Sequence, residues 1–242
     1  MSTCPSPIRA IGRWPDDVSV WSVSVPSDPD TLLPMARSLD EAEQERASRF
    51  RQPADRGRFI SARHALRVLL GGRVGEAPQA LRFGYGRYGK PTLDGYPDLS
   101  FNVSHTGDYA LIAMSAERIV GIDIERMDPA FDWQSLADLV CTGDEQHAIA
   151  RLPSGQQAQS FFRCWTAKEA LLKALGLGIT EGLRAISVDP SGTGVQTPLV
   201  QRGAVAADAA TLRFHWLHGM DGYVACIAFG EPGTAGLSSS LV

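Results

Sequence analysis

Residues 107–114 read GDYALIAM and residues 221–229 read DGYVACIAF, so the second stretch repeats the pattern of the first. In each stretch, glycine and aspartate precede a tyrosine and a run of apolar residues. Such a run after a turn predicts a buried strand of a β-hairpin. A strand, a long helix and a short strand are predicted ahead of each hairpin. We therefore predict an internal duplication, in which two similar halves form an α+β fold.

The two halves are predicted to share one order of elements. The first half has a strand at 18–25, a helix at 56–70 that ends at Gly71 and Gly72, a strand at 81–85 and a hairpin at 99–114. The second half has a strand at 119–125, a helix at 161–175 that ends at Gly176, a strand at 183–188 and a hairpin at 212–229. The halves are thus residues 1–119 and 120–242. Small polar residues after Gly230 predict a disordered tail.

The composition is that of a globular protein. The chain has 242 residues, of which 44% are hydrophobic and 21% charged, which excludes a wholly disordered, collagen-like or coiled-coil chain. No apolar run approaches the roughly 18 residues of a membrane span, and the N-terminus lacks the pattern of a secretory signal. We expect a cytoplasmic protein with four reduced cysteines, because none of them has metal-site spacing.

Charge is distributed unevenly along the chain. The net charge of −4 argues against general nucleic-acid binding, yet residues 46–73 contain a single acid, Asp55, and many arginines. These residues predict either a solvated helix face or a site for anions or an acidic partner. A noncatalytic nucleotide-binding or nucleic-acid-binding module is therefore the alternative function. The arginines are Arg46, Arg49, Arg51, Arg56, Arg58, Arg63, Arg67 and Arg73.

The strand at 119–125 reads IVGIDIE and carries two acids on one face. Alternation along a strand places Asp123 and Glu125 together, opposite the apolar Val120, Ile122 and Ile124. Side chains on one face are spaced by roughly 6.6 to 6.8 Å, so the two carboxylates repel unless a cation lies between them. Oxygen ligands without cysteine or histidine suit Mg²⁺. The alternative is an exposed edge strand with two solvated acids.

The helix at 161–175 belongs to the stretch FFRCWTAKEALLKALG, in which Lys168 falls within an apolar stripe. This lysine either extends along the apolar surface towards solvent or points into a cleft. Glu169 and Lys173 are one turn apart, where an ordinary ion pair contributes about 0.2 to 0.5 kcal/mol. Alternatively, Glu169 binds a metal and Lys173 neutralises a phosphate.

Residues 89–106 read GKPTLDGYPDLSFNVSHT, with Lys90 in a turn and His105 near the end of a strand. Ser104 and His105 are neighbours on a strand and point to opposite faces, so they do not form a hydrolase triad. His105 is either a structural imidazole or, with Lys90 and Arg63, part of a phosphate site.

Taken together, GKPxL, FNxSHT, GIDIE and WxxKEAxxKxxG, in this order, resemble the signature of the 4'-phosphopantetheinyl transferases of the surfactin-synthetase-activating type. These motifs lie within residues 63–176. The resemblance implies a pseudo-dimeric single chain whose two α+β halves bind coenzyme A in the cleft between them. It also implies an enzyme that transfers the 4'-phosphopantetheine arm to a serine of an apo carrier protein.

The resemblance also implies roles for individual residues. The expected Mg²⁺ ligands are Asp123, Glu125 and Glu169, and the expected catalytic residues are Asp123, Glu169 and Lys173. Coenzyme A contacts are implied for Arg63, Lys90, Ser104, His105, Lys168 and Lys173. An upstream arginine, Arg46 or Arg49, is expected at the 3'-phosphate, without a clear register.

The implied reaction is phosphoryl transfer. The carrier serine attacks the phosphorus that bears the pantetheine arm, and 3',5'-adenosine bisphosphate leaves, while Mg²⁺ and Lys173 neutralise charge. The serine proton passes either to Glu169 or to a metal-bound water. An acidic carrier helix is expected to dock on a basic or apolar surface of the second half. We expect a monomer that binds neither nucleic acid nor membrane.

Overall fold

The computed structural model describes residues 4–178, 182–200 and 204–236. The elements of the first half are β1 (Ser6–Ile8), β2 (Ser19–Ser24), α1 (Pro29–Ala36), α2 (Glu41–Ser48), α3 (Pro53–Val74), β3 (Phe83–Tyr85), β4 (Pro91–Leu93), β5 (Ser100–Thr106) and β6 (Tyr109–Ser115). Those of the second half are β7 (Val120–Arg126), α4 (Gln134–Val140), α5 (Gly143–Ala150), α6 (Ser154–Leu175), β8 (Ile186–Ser187), β9 (Leu199–Val200), α7 (Ala204–Ala209), β10 (Arg213–Leu217) and β11 (Tyr223–Phe229).

Two antiparallel sheets show the duplication directly. The first sheet has the order β1-β2-β6-β5 and the second has the order β10-β11-β7. Apart from β1, each sheet places the last strand of its half between the other two, as β2-β6-β5 and β7-β11-β10. The long helix α3 packs on β2, β5 and β6, and α6 packs on β7, β10 and β11. The predicted α+β fold of two similar halves is confirmed.

The apolar faces of the strands form three layers of core. One cluster lies between α3 and the first sheet, and another lies between α6 and the second sheet. A third cluster joins the two sheets, and it includes Val20, Leu111, Ile122, Ala225 and Ile227. The alternation predicted for β7 is present, because its apolar residues enter this shared cluster while its acids face α6. The sheet-to-sheet core therefore fixes the two halves against each other.

The long helices differ from the predicted spans at their ends. Helix α3 runs through Gly71 and Gly72 and ends only at Gly75, whose φ of 78° is the left-handed conformation that favours glycine. Gly71 serves another purpose, since a Cβ there would lie 2.6 Å from the Glu76 carbonyl oxygen. Helix α6 begins earlier than predicted and ends as predicted at Gly176, with a φ of 71°.

The halves meet along β5 and β7, which are edge strands of different sheets. Ser100 Oγ accepts a hydrogen bond from the Val120 N–H at 3.1 Å, and Asn102 Oδ1 accepts one from the Ile122 N–H at 2.9 Å. Side chains of β5 thus satisfy backbone donors of β7 in the place of a strand partner. This seam between β5 and β7 carries the residues of the candidate site.

The chain after β11 packs back onto the start of the second half. The Thr234 hydroxyl accepts a hydrogen bond from the Ile119 N–H at 3.1 Å, the Thr234 N–H donates to the Glu117 carbonyl at 3.0 Å, and Ala235 is buried. The prediction of disorder from Gly230 is therefore wrong for residues 231–236, and residues 237–242 lie outside the described residues. None of the helices in the described ranges has the length and apolarity that a membrane span needs.

Candidate active site

Asp123 is the centre of a buried polar cluster on the face of β7 that meets α6. One of its oxygens, Oδ1, accepts hydrogen bonds from Ser104 Oγ at 2.9 Å and from Lys173 Nζ at 2.5 Å. The other oxygen, Oδ2, is buried and has no hydrogen-bond partner in the described part of the chain. Burial raises the pKa of Asp123, the ammonium of Lys173 opposes the rise, and Glu169 adds to it.

Lys173 lies between two carboxylates. Its ammonium is 2.5 Å from Asp123 Oδ1 and 3.2 Å from Glu169 Oε2. Burial by itself would lower the pKa of Lys173, but Asp123 and then Glu169 outweigh it and raise that pKa overall. The lysine therefore carries a positive charge, held by α6 at the seam.

Glu125 is the third carboxylate of this cluster. Its pKa is raised to about 8, chiefly by burial and then by the negative charges of Asp123 and Glu169, while Lys173 and a hydrogen bond with Thr106 oppose the rise. Because one ammonium faces three carboxylates, the cluster carries more negative charge than it can neutralise. A carboxyl group whose pKa is raised among other acids is typical of a functional site, and this excess of carboxylates fits a bound cation.

The third predicted metal ligand, Glu169, is buried on α6 and held from both sides. Its Oε1 accepts a hydrogen bond from Trp165 Nε1 at 2.6 Å, one turn earlier on the helix, and its Oε2 faces Lys173. The structure thus brings Asp123, Glu125, Glu169 and Lys173 into one electrostatic cluster. However, the three carboxylates do not form a group whose ligand atoms all lie within 4.8 Å of one another. The ammonium of Lys173 lies among them.

A cleft of about 180 Å³ adjoins this cluster on the other face of β5. Arg46, Arg63 and His105 line it, so the structure places two of the predicted phosphate contacts together and adds Arg46, whose register the sequence left open. His105 lines this cleft. Partial removal of its ring from water lowers its pKa, and the positive charges of Arg58 and Lys173 lower that pKa further. Cations and a neutral imidazole donor or acceptor are arranged there for an anion.

The arginines of residues 46–73 do not form a single solvated face. Arg67 is completely buried and bonds Asp40 at 2.6 Å and Glu43 at 2.7 Å, and Arg63 pairs with Glu43 at 2.9 Å. Glu43 lies on α2 and Asp40 directly precedes it. These ion pairs therefore hold α2 against α3. Sequence analysis missed this role because Glu43 has no pattern that marks it as a buried partner.

Lys90 connects the β3–β4 turn to the second half. Its ammonium donates to the Ala174 carbonyl at 2.7 Å and to the Val120 carbonyl at 3.3 Å, and burial lowers its pKa to about 7. These carbonyls belong to the last turn of α6 and the start of β7. Contact of Lys90 with the adenosine of coenzyme A stays a prediction.

Lys168 does not reach the cleft, which corrects its predicted contact with coenzyme A. The side chain is fully buried, and its ammonium donates to Glu145 Oε2 at 2.5 Å and to the Val140 carbonyl at 2.7 Å. Glu145 lies with Cys141 and Cys164 in a tight group of potential metal ligands. This group does not fit a metal, because the ammonium of Lys168 already neutralises Glu145 and the pKa of Cys164 is raised, chiefly by a hydrogen bond with Cys141.

Comparison with known proteins identifies the family. The profile of the 4'-phosphopantetheinyl transferase N-terminal region matches residues 22–117, and that of the 4'-phosphopantetheinyl transferase superfamily matches residues 119–228. The 4'-phosphopantetheinyl transferase HetI of Nostoc sp. is 39% identical over 169 residues, which are 69% of this chain and 71% of the relative.

Two further relatives carry similar names. A putative 4'-phosphopantetheinyl transferase of Synechocystis sp. is 37% identical over 166 residues, or 68% of each chain. The 4'-phosphopantetheinyl transferase of Bacillus subtilis is 29% identical over 154 residues, 64% of this chain and 67% of the relative. With the fold and the cluster at the seam, these matches show that the chain belongs to the 4'-phosphopantetheinyl transferase family of enzymes, which transfer phosphopantetheine from coenzyme A to carrier proteins.

Proposed function

We propose that this chain transfers the 4'-phosphopantetheine arm of coenzyme A to a serine of an apo carrier protein in a Mg²⁺-dependent reaction, releasing 3',5'-adenosine bisphosphate. The observation that supports the metal is the buried Asp123 Oδ2, which has no hydrogen-bond partner among the described residues. A buried carboxylate oxygen is normally paired or bound to a metal. Hard oxygen ligands and an excess of carboxylates fit Mg²⁺.

Asp123, Glu125 and Glu169 would hold this ion. When bound, Mg²⁺ supplies Lewis-acid stabilisation of the negative charge on the transferred phosphate. Lys173, which pairs with Asp123 and Glu169, would then turn its ammonium to a phosphate oxygen. In the structure, pairing with Asp123 and Glu169 raises the pKa of Lys173 and so holds it in its charged form. In this proposal the seam positions a cation and a lysine on the same phosphate.

The remaining chain residues bind and orient the substrates. Arg46, Arg63 and His105 would hold the 3'-phosphate of coenzyme A in the cleft that they line. Ser104 keeps Asp123 in place through its hydrogen bond. The proton of the carrier serine would pass either to Glu169, which Trp165 holds on one oxygen, or to a water of the site. The carrier oxygen bonds to phosphorus as the bond to the adenosine bisphosphate breaks.

The surfactin-synthetase-activating subtype, with halves at 1–119 and 120–242, is part of this proposal. Two observations support it. The two sheets have similar strand orders, and the N-terminal profile ends at residue 117 while the superfamily profile begins at residue 119. A cytoplasmic monomer that binds no nucleic acid stays a prediction.

Mass spectrometry tests the function. Incubation of an apo carrier with coenzyme A and Mg²⁺ should add about 340 Da, the mass of the transferred group. Asp123→Ala should reduce the rate at least about a hundredfold with unchanged circular dichroism, because it removes charge stabilisation at the transferred phosphate. The exposed Glu117→Gln is the matched control and should transfer normally. Full activity of Asp123→Ala, or activity after complete chelation of divalent metals, would disprove the metal assignment.

A further inference from the structure

The hydroxyl of Tyr223 connects the second half of the chain to one turn of the first half. Tyr223 begins β11, where it pairs with Arg126 at the end of β7. Its hydroxyl accepts a hydrogen bond from the Asp108 N–H at 3.0 Å and donates one to Asp108 Oδ2 at 3.2 Å. Gly107 and Asp108 form the two-residue turn between β5 and β6. One tyrosine therefore holds both the backbone and a side chain of this turn across the interface of the halves.

The β5–β6 turn lies directly against the tyrosine. A Cβ at Gly107 would be 2.4 Å from the Tyr223 hydroxyl oxygen, so a side chain at this position would displace the hydroxyl. Within the first half, the Val25 N–H donates a hydrogen bond to the Asp108 carbonyl at 2.8 Å. The first half thus supports the shape of the turn, and Tyr223 holds the turn in position against the second half.

The tyrosine at the equivalent position of the first half makes no such bonds. Tyr109 begins β6 as Tyr223 begins β11, and the two rings pack edge to face. The Tyr109 hydroxyl has no hydrogen-bond partner among the residues that the structure describes. Duplication alone would give both tyrosines the same contacts, so the bonds of Tyr223 belong to a feature that the two halves do not share. The candidate active site, which lies beside the β5–β6 turn, is such a feature.

The strand end that leads into this turn carries two residues of the candidate active site. Thr106 is the last residue of β5, and its side chain hydrogen-bonds to Glu125. His105 precedes it and lines the cleft proposed for the 3'-phosphate. Glu125 lies on β7 opposite Val224, the residue after Tyr223. The strand pair that carries Glu125 therefore also carries the tyrosine that holds the turn.

These contacts link the tyrosine to both parts of the site. A shift of the turn would move the Thr106 side chain and the His105 ring, because both lie within three residues of Asp108. We infer that Tyr223 is a positioning residue of the active site. Its hydroxyl holds the β5–β6 turn, so that Thr106 reaches Glu125 and His105 faces the 3'-phosphate. This inference rests on the proposed function and deepens it, since one residue would align the metal site and the nucleotide site together.

Tyr223→Phe tests the inference, because it removes the hydroxyl and keeps the ring. Asp108 is exposed, so water can take the place of the hydroxyl and the Tm should change little. The turn loses its fixed position, however, and the affinities for Mg²⁺ and for 3',5'-adenosine bisphosphate should each fall about threefold, the effect of one ordinary hydrogen bond. Titration calorimetry measures both affinities without turnover, and kcat/KM for coenzyme A should fall in parallel.

Two variants serve as controls. Tyr109→Phe removes a hydroxyl from the other ring of the same pair, and both affinities should keep their wild-type values. Asp108→Asn preserves the backbone N–H and offers an amide oxygen to the Tyr223 hydroxyl, so it should also bind both ligands as the wild type does.

A double variant tests whether Tyr223 acts through Thr106. Thr106→Val removes the hydroxyl that bonds Glu125, and it should weaken Mg²⁺ binding by itself. Adding Tyr223→Phe should weaken Mg²⁺ binding no further, because the turn then has no threonine hydroxyl to position. The affinity for 3',5'-adenosine bisphosphate, which depends on His105, should still fall in the double variant.

The possible results separate this inference from the proposed function. Unchanged affinities in Tyr223→Phe, whatever its Tm, would show a purely structural role and overturn the inference. Equal losses in Tyr109→Phe would attribute the effect to ring packing and overturn it too. A double variant whose Mg²⁺ affinity falls by both single losses would exclude the path through Thr106, with the same consequence. No mass gain of apo carriers from the wild-type protein would instead overturn the proposed function itself.

Discussion

At the seam, three carboxylates that repel one another lie close to a single ammonium group. Asp123, Glu125 and Glu169 repel one another, and the ammonium of Lys173 compensates only part of that repulsion. Burial, and then the negative charges of Asp123 and Glu169, raise the pKa of Glu125 from the ordinary 4.5 to about 8. At pH 7 the protein relieves this repulsion by keeping Glu125 largely protonated. A bound cation would remove the need for that proton.

Magnesium affinity should therefore depend on pH. Because Mg²⁺ and the proton compete for Glu125, affinity should rise about tenfold per pH unit up to pH 8 and then level off. Between pH 4.5 and 8 the folded state holds the Glu125 proton more tightly than the unfolded state, so stability without metal should fall as pH rises through that window. Titration calorimetry in two buffers measures both affinity and proton release. Glu125→Gln should flatten the profile, and a flat wild-type profile would exclude Glu125 as a ligand.

Lys168 should act on stability and not on coenzyme A. Replacing it with methionine leaves the buried Glu145 carboxylate without a counter-charge, which costs about 3 to 5 kcal/mol of unfolding free energy. The double variant Lys168→Met with Glu145→Gln should recover part of that loss. Urea denaturation measures the loss, and the KM for coenzyme A should stay unchanged. A raised KM with unchanged stability would restore the contact that the sequence predicts.

The sequence could predict which residues form the site but not what each one touches. The resemblance to the family's motifs groups Asp123, Glu169 and Lys173, whereas spacing alone leaves an edge-strand acid and an ordinary ion pair as alternatives. Lys168 has the same residue type and lies only one residue before Glu169, and its partner Glu145 is on another helix. No residue near Lys168 in the sequence indicates that Glu145 is its partner. The buried ion pair of Lys168 could therefore not be predicted from the sequence.

At the scale of elements, the approach of β7 to α6 determines the geometry of the site. A Cβ at Gly121 would lie 2.1 Å from the Ala170 carbonyl oxygen and 2.3 Å from the Ala174 amide nitrogen. Such distances are possible only without a side chain, so this glycine sets the spacing between the strand that carries Asp123 and the helix that carries Lys173.

Gly121→Ala should therefore damage both stability and turnover. The strand must move away from α6, which costs about 3 kcal/mol and lengthens the bond between Asp123 and Lys173. Gly155→Ala, on the same helix with nothing within 4 Å, should be neutral or slightly stabilising. Thermal unfolding and single-turnover transfer measure the two effects. Wild-type stability in Gly121→Ala would mean that the strand and helix are not held at this distance.

Glycines also explain which element ends the sequence could predict. Gly176 ends α6 in the left-handed conformation, as its position after a helical pattern indicates. Gly71 has the same local context, yet α3 continues through it, because this glycine serves a close approach of the Glu76 carbonyl and not a cap. Both uses require glycine, so a single sequence cannot distinguish a helix end from a tight contact.

At the scale of the whole molecule, the candidate active site lies where the two duplicated sheets meet, at the seam between β5 and β7. The duplication is visible in the sequence as repeated hairpins, and the tyrosines of those hairpins, Tyr109 and Tyr223, pack edge to face with ring centroids 5.1 Å apart. The seam has no such signal, because hydrogen bonds from β5 side chains to the β7 backbone follow no periodic pattern. The fold class was therefore predictable, and the way the halves join was not.

Asn102 should couple the stability of the two halves. Asn102→Ala leaves the buried N–H of Ile122 without an acceptor, which costs about 1 to 3 kcal/mol and lowers Tm by roughly 2 to 12 °C. Because that amide is adjacent to Asp123, transfer should also slow. Calorimetry should show a single transition for both wild type and variant, since a core cluster spans the two sheets. Ser22→Ala, at an exposed hydrogen bond within the first sheet, serves as the control. Two separate transitions in the wild type would show that each half folds by itself and that the seam only aligns them.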